Sequence, residues 1–228
     1  MSMFEGIRFD IILDYMPMLL KVGVVTTIKL TTIAVGIGTF LGLIISLIKL
    51  SRIKIVSILG SIYVDFFRGT PLLVQIFLIH FAILPAIIPF RFDPIVSGIV
   101  ALTLNSAAYI AEIFRAGISS IDRGQMEAAR SLGMTHGQAM RYIIVPQAFK
   151  RVVPALGNEF IAMLKDSSLV SVISVQELAM TGSLMASRTF RTYEAWITVA
   201  ILYLIMTMVL SQFVAYLERR LGKSDIRS

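Results

Sequence analysis

The strongest constraint on this chain is a series of apolar runs long enough to cross a lipid bilayer. A helix rises about 1.5 Å per residue, so a hydrocarbon layer about 30 Å thick needs about 20 consecutive apolar residues. Five runs fit this length: residues 17 to 48, 55 to 88, 94 to 114, 152 to 173 and 194 to 217. The pattern predicts an all-α, polytopic integral membrane protein with five transmembrane helices. With 57% hydrophobic and only 15% charged residues, a soluble enzyme, a disordered tail and a collagen-like fibre are excluded. The net charge of +7 would suggest nucleic acid on a soluble face, but the basic residues sit between the apolar runs, so no nucleic-acid partner is expected. There is no cysteine, which excludes disulfides, thiolate metal sites and a cysteine nucleophile. The N-terminus shows no signal-peptide pattern.

Cations left between the runs set the orientation, because Lys and Arg are retained on the cytoplasmic side. Lys49, Arg52 and Lys54 follow the first run. Arg115, Arg123, Arg130, Arg141, Lys150 and Arg151 follow the third, and Arg219, Arg220, Lys223 and Arg227 close the chain. These thirteen oppose five, namely Arg8, Lys21, Arg91, Arg188 and Arg191. The N-terminus is therefore expected outside and the C-terminus in the cytoplasm. The first two runs exceed a single crossing, and the second is expected to break at Gly69-Thr70-Pro71, with Thr70 capping a helix that restarts at Pro71. Gly36, Gly38 and Gly42 read as small residues permitting close helix approach.

The link from about residue 116 to 151 is too long to be a mere connection. Asp122 predicts a helix start, with Gln125 completing a capping box, and Gly133 after Leu132 reads as a left-handed stop. Thr135 and Gln138 repeat the start signal for a second helix, expected to end before Pro146. A docking face would combine Ala128, Ala129, Leu132 and Met134 with Arg130.

Glu127-Ala128-Ala129, Gly133, Ile143, Val145 and Pro146 stand at the spacing of the EAA loop, with Val145 where leucine is usual. The chain thereby resembles the permease subunits of ATP-binding-cassette (ABC) importers. The stretches 67 to 75 (FRGTPLLVQ), 104 to 109 (LNSAAY) and 165 to 169 (KDSSL) are similar to the polar amino acid subfamily, and the likeness runs from about residue 15 to 218. It implies one type I importer permease domain over residues 1 to 228, with a cytoplasmic helix-turn-helix coupling loop, in the bacterial cytoplasmic (inner) membrane. It implies ATPase-coupling roles for Glu127, Ala128, Ala129, Arg130, Leu132, Gly133 and Pro146. It also implies a cytoplasmic ATPase dimer, a second permease chain, identical or a close paralogue, and an extracytoplasmic substrate-binding protein. No G-x4-G-K-[ST] phosphate loop occurs, so ATP and Mg are expected on the partner ATPase, with no cofactor, metal or catalytic residue in this chain.

Ionisable residues inside a membrane need a partner, a wet cavity or a route to the surface. Asp65 and Arg68, three apart, are expected to pair. Lys29 is expected to snorkel outward, and Lys165 and Asp166 read as gate, interface or rim. Glu159 lies about 12 Å along a helix from Arg151, near the middle of the span. With Asn158 beside it, Glu159 is a candidate for recognising a cationic or amino group of an amino acid; a carboxylate satisfied by another helix is the alternative. Thr70 and Gln75, at the broken second run, are candidates for the substrate's carboxylate, or else mark a packing break. The expected function is import of a polar amino acid of the cationic kind (arginine, lysine or histidine), with glutamine or glutamate, or an ATP-independent carrier, as alternatives. An intramembrane enzyme has no support, because His80 and His136 lie on opposite sides of the third run and no HExxH is present.

Overall fold

A computed structural model describes residues 7–222 apart from Arg52 and Pro89. Arg52, Lys223 and Arg227, three of the cations used for orientation, lie outside the described residues. Regular structure among the described residues is entirely helical: α1 (Phe9–Lys49), α2 (Lys54–Gly69), α3 (Leu72–Ile87), α4 (Pro94–Ser119), α5 (Arg123–Ser131), α6 (His136–Ile173), α7 (Leu178–Thr189) and α8 (Thr192–Gly222). Helices α1, α4 and α8 are each long and apolar enough to cross a membrane. The number reaches five if α2 with α3, and α6 with α7, each form one broken span.

The boundaries differ from those expected, for local reasons. The first helix begins at Phe9 rather than near residue 17, passing through Pro17 and then widening into a π-turn over Leu19–Val24. Such a turn rearranges the backbone bonding that a proline, having no N–H, interrupts. The break in the second run is present, but Thr70 (φ −118°, ψ 148°) and Pro71 (φ −63°, ψ 135°) are both extended and the next helix starts at Leu72. Thr70 does not cap it; its hydroxyl turns back to donate to the Phe66 carbonyl at 2.8 Å. The fourth run is not separate from the docking loop, since α6 runs unbroken from His136 to Ile173. Helix α7 was not foreseen at all.

The chain divides into two compact units. One comprises Met1–Ala34, Pro71–Thr103 and Ala162–Val209. Its core gathers Leu19, Leu178, Met185, Ala195 and Val199, with Tyr15, Leu202 and Tyr203 against them. A Cβ on Gly23 would stand 3.0 Å from Leu178 Cα, so α1 and α7 meet there almost backbone to backbone. Glu177, fully buried, starts α7: its carboxylate accepts from the Ala179 and Met180 amides at 2.8 and 2.7 Å and from the Tyr203 hydroxyl at 2.8 Å. The Leu178 amide donates to Thr27 Oγ1 at 3.2 Å.

The other unit comprises Val35–Thr70, Leu104–Ile161 and Leu210–Ser228. Here α1 and α4 pack through small residues. A Cβ on Gly42 would fall 2.8 Å from Ile110 Cγ2, and one on Gly38 would fall 3.2 Å from Ser106 Cβ. The packing role expected of the glycines thus holds for Gly38 and Gly42; a Cβ on Gly36 would meet nothing within 4 Å.

Candidate functional site

The docking loop is built on a stem where α4 and α6 approach closely. Gly117 makes room for Val152, and the Arg151 guanidinium donates to the Ser120 carbonyl at 2.6 Å. Ile121, Ile144 and Ala148 form a small core, with Ile118, Met126, Met140 and Ile143 packed on it. On this stem α5 starts at Asp122, whose carboxylate accepts from the Gly124 amide at 2.7 Å. The capping box expected with Gln125 does not form; Gln125 Oε1 instead accepts from Gln147 Nε2 of α6 at 3.5 Å. The predicted box at Thr135 and Gln138 is present on both sides.

Helix α5 ends in a Schellman turn. The Met134 amide donates to the Ala129 carbonyl at 3.1 Å and the Gly133 amide to the Arg130 carbonyl at 3.0 Å, with Gly133 at φ +86°. This is the left-handed stop read from the sequence. The turn presents Leu132, 84% exposed, with Ala128, Arg130 and Glu127 also exposed. Glu127 is the fifth of nine residues of α5, so it sits mid-helix. Ala129, expected on the docking face, is 4% exposed and faces inward. The second helix does not end before Pro146. A π-turn over Met140–Ile144 precedes the proline, which lies exposed on α6. The wider turn rearranges the bonding ahead of Pro146, which has no N–H to donate, so the helix continues.

Within the same unit, one stretch of α4 ties its neighbours together. Tyr63 donates to the Leu104 carbonyl at 2.7 Å and Asn105 Nδ2 to the Phe67 carbonyl at 3.4 Å. Ser106 Oγ donates to Glu159 Oε1 at 3.3 Å. The end of α2 that precedes Thr70 and the part of α6 that carries Glu159 are therefore both fastened to adjacent residues of α4. Glu159 is half-buried and Asn158 exposed. Gln75 belongs to the other unit and is 2% exposed.

Two turns further along α4, Glu112 gathers three cations. It accepts from Lys49 Nζ at 2.9 Å, binds Arg115 Nε, and lies 3.8 Å from Arg68 Nη1. The Arg68 guanidinium also stands over the Tyr109 ring, 5.3 Å from its centre. The expected pairing of Arg68 with Asp65 is thus replaced by one with Glu112, and Asp65 is exposed. Sequence reasoning passed over Glu112 and Glu177. Glu112 carried a signal, an acid three residues before Arg115; the partner of Glu177, Tyr203, lies 26 residues away and no local spacing announces it. Among the described residues, no group of three or more metal-binding side chains occurs.

Residues 34–223 match the family described as "Binding-protein-dependent transport system inner membrane component". Among curated proteins, the arginine transport system permease protein ArtQ of Bacillus subtilis is 36% identical over 220 residues, covering 96% of this chain and 100% of the relative. The probable glutamine ABC transporter permease protein GlnM of the same organism is 42% identical over 198 residues, covering 87% and 91%. The crystal structure of an amino acid ABC transporter with histidines superposes with a TM-score of 0.89 at 46% identity, covering 94% of this chain and 99% of that one.

Proposed function

We propose that this chain, which belongs to the family of binding-protein-dependent transport system inner membrane components and is an amino-acid ABC transporter permease, imports cationic amino acids. The observation that supports the cationic reading is Glu159, a half-buried carboxylate within α6 that accepts from the Ser106 hydroxyl at 3.3 Å. An acidic side chain within a span is a group of the kind that meets a guanidinium, ammonium or imidazolium in transit. Thr70 and Asn158 belong to the same substrate path. The similarity to ArtQ, named for arginine, points the same way.

The chain works with a cytoplasmic ATPase dimer, which holds ATP and Mg, with a second permease chain and with an extracytoplasmic binding protein. It sits in the bacterial cytoplasmic membrane with its N-terminus outside. The α5 turn, with Leu132 and Arg130 outward on the α4 and α6 stem, is the face that enters the ATPase. ATP binding draws the two docking helices together and opens the path to the loaded binding protein, and hydrolysis resets it. Coupling of this kind is a free-energy link between two sites and two states.

Glutamine or glutamate is the second reading, favoured by GlnM, which is named for glutamine and shares 42% identity. Uptake by the reconstituted complex separates the two. Glu159→Gln is expected to reduce arginine, lysine or histidine uptake about tenfold or more, the scale of a lost hydrogen bond to a charged group, and glutamine uptake much less. Equal losses for charged and neutral substrates would remove the charge-recognition role.

A further inference from the structure

Only two non-glycine residues among those described have a left-handed backbone, Ser174 at φ 64° and Phe190 at φ 54°. For a bulky aromatic residue this conformation is disfavoured and marks a constraint from elsewhere. Phe190 adopts it in the turn between α7 and α8 with 89% of its surface exposed, so burial of its own ring does not compensate for the strain. The turn is held from beneath. Thr189 Oγ1 donates to the Met185 carbonyl at 2.7 Å and accepts from the Arg191 amide at 3.2 Å. The Arg191 guanidinium lies 3.7 Å from the carboxylate of Glu194, which is 4% exposed. A braced turn thus pushes one aromatic ring outward between Arg188 and Arg191, both exposed.

We propose that Phe190 is the anchor by which this chain engages the extracytoplasmic binding protein, its ring entering an apolar pocket rimmed by carboxylates that face the two arginines. The inference rests on the transport function and orientation proposed above. Aromatic and arginine side chains are the types enriched where protein partners bind, and a preset ring loses little freedom on docking. A protein fits better than lipid. Tyr193 and Trp196, 41% and 45% exposed in the first turns of α8, suit the headgroup level, and Phe190 precedes them on the watery side of that belt.

The absence of cysteine makes the test direct, because Phe190→Cys creates the one thiol of this chain, and labelling is read on its band. In the full complex in right-side-out vesicles, this thiol is expected to react with a membrane-impermeant maleimide and to be shielded by loaded binding protein. Phe190→Gly relieves the backbone strain. It should melt no lower than the unsubstituted complex, yet need several-fold more binding protein for half-maximal ATPase stimulation, with the same maximal rate. Labelling without shielding, together with an unchanged half-saturation, overturns the proposal and assigns the ring to lipid headgroups. Labelling only from the cytoplasmic side overturns it through the orientation. If the unsubstituted complex ignores binding protein altogether, the transport function itself falls, a result distinct from the other two.

Discussion

Replacing Gly133 separates the backbone conformation of the docking turn from the space around it. A Cβ at this position would meet nothing within 4 Å, so the first atom of a side chain brings no clash among the described residues. What it brings is the cost of holding φ at +86°, about 1–2 kcal/mol for an ordinary L-residue, highest for β-branched ones and least for asparagine. If the ATPase recognises only the turned conformation, its apparent affinity falls by the fraction of loops that lose it, about 5-fold to 30-fold for that cost. Gly133→Asn should therefore stay close to the unsubstituted protein, Gly133→Ala should fall between, and Gly133→Val should lose most. The assay is titration of the ATPase subunit against permease in nanodiscs, read as bound ATPase and as binding-protein-stimulated hydrolysis. Membrane insertion and melting should be unchanged throughout the series. Equal losses for asparagine and valine would show that the partner needs empty space at Gly133, and full activity of the valine variant would show that the turn is dispensable.

Two further outcomes follow from the same geometry. Leu132→Ser removes an exposed apolar side chain and should weaken ATPase binding about tenfold without lowering the melting temperature, since burying a leucine contributes about 1.5–3 kcal/mol only where a partner covers it; unchanged affinity would take Leu132 out of the interface. Tyr203→Phe takes one donor from the buried Glu177 carboxylate and should destabilise by about 1–3 kcal/mol, read as a lower melting temperature of the purified complex, with Glu177→Ala lower still. A Tyr203→Phe variant that melts unchanged would mean that the Glu177 to Tyr203 contact does not hold α7.

Local chemistry was legible in part; the box expected at Asp122 and Gln125 and the cap expected at Thr70 are local too, and neither forms. The stop at Gly133, the box at Thr135 and Gln138, and the break after Gly69 each need only a short stretch of chain, and each is present. What misled was chemistry settled by distant residues. Arg68 has an acid three positions away, yet a carboxylate on α4 and the Tyr109 ring outcompete it. Ala129 reads as part of a small-residue face until the core around Ile121 and Ile144 covers it from behind. Pro146 reads as a helix end because the rule assumes α-helical bonding, and a π-turn lifts the assumption. Helix α7 has no counterpart among the expected elements: its starting carboxylate, Glu177, is satisfied in the core by two first-turn amides and by Tyr203, 26 residues on, a partner that no local spacing announces.

If the loop docks on the ATPase as proposed, the stem is what would let it act on a span. A push on α5 is useful only if the attachment is stiffer than the elements it must move, and a loop tied by exposed hydrogen bonds alone would absorb it. Here α5 is capped at Asp122, one residue beyond Ile121 in the stem core, and α4 is locked to α6 by the Gly117 and Val152 contact and by Arg151 on Ser120. Packed contacts transmit strain where free volume is small; a cavity of about 230 Å³ beside α5, lined by Ile121, Met126, Met140 and Ile144 among others, leaves the α4 to α6 contact to carry it. The same helix α4 continues without a break to Glu112, which holds the ends of α1 and α2, and to Asn105 and Ser106, which hold the neighbourhood of Thr70 and Glu159. On the coupling role proposed above, a displacement of the stem would reach Glu159 along α4 and the single Ser106 to Glu159 bond, and along α6, which carries Glu159 itself.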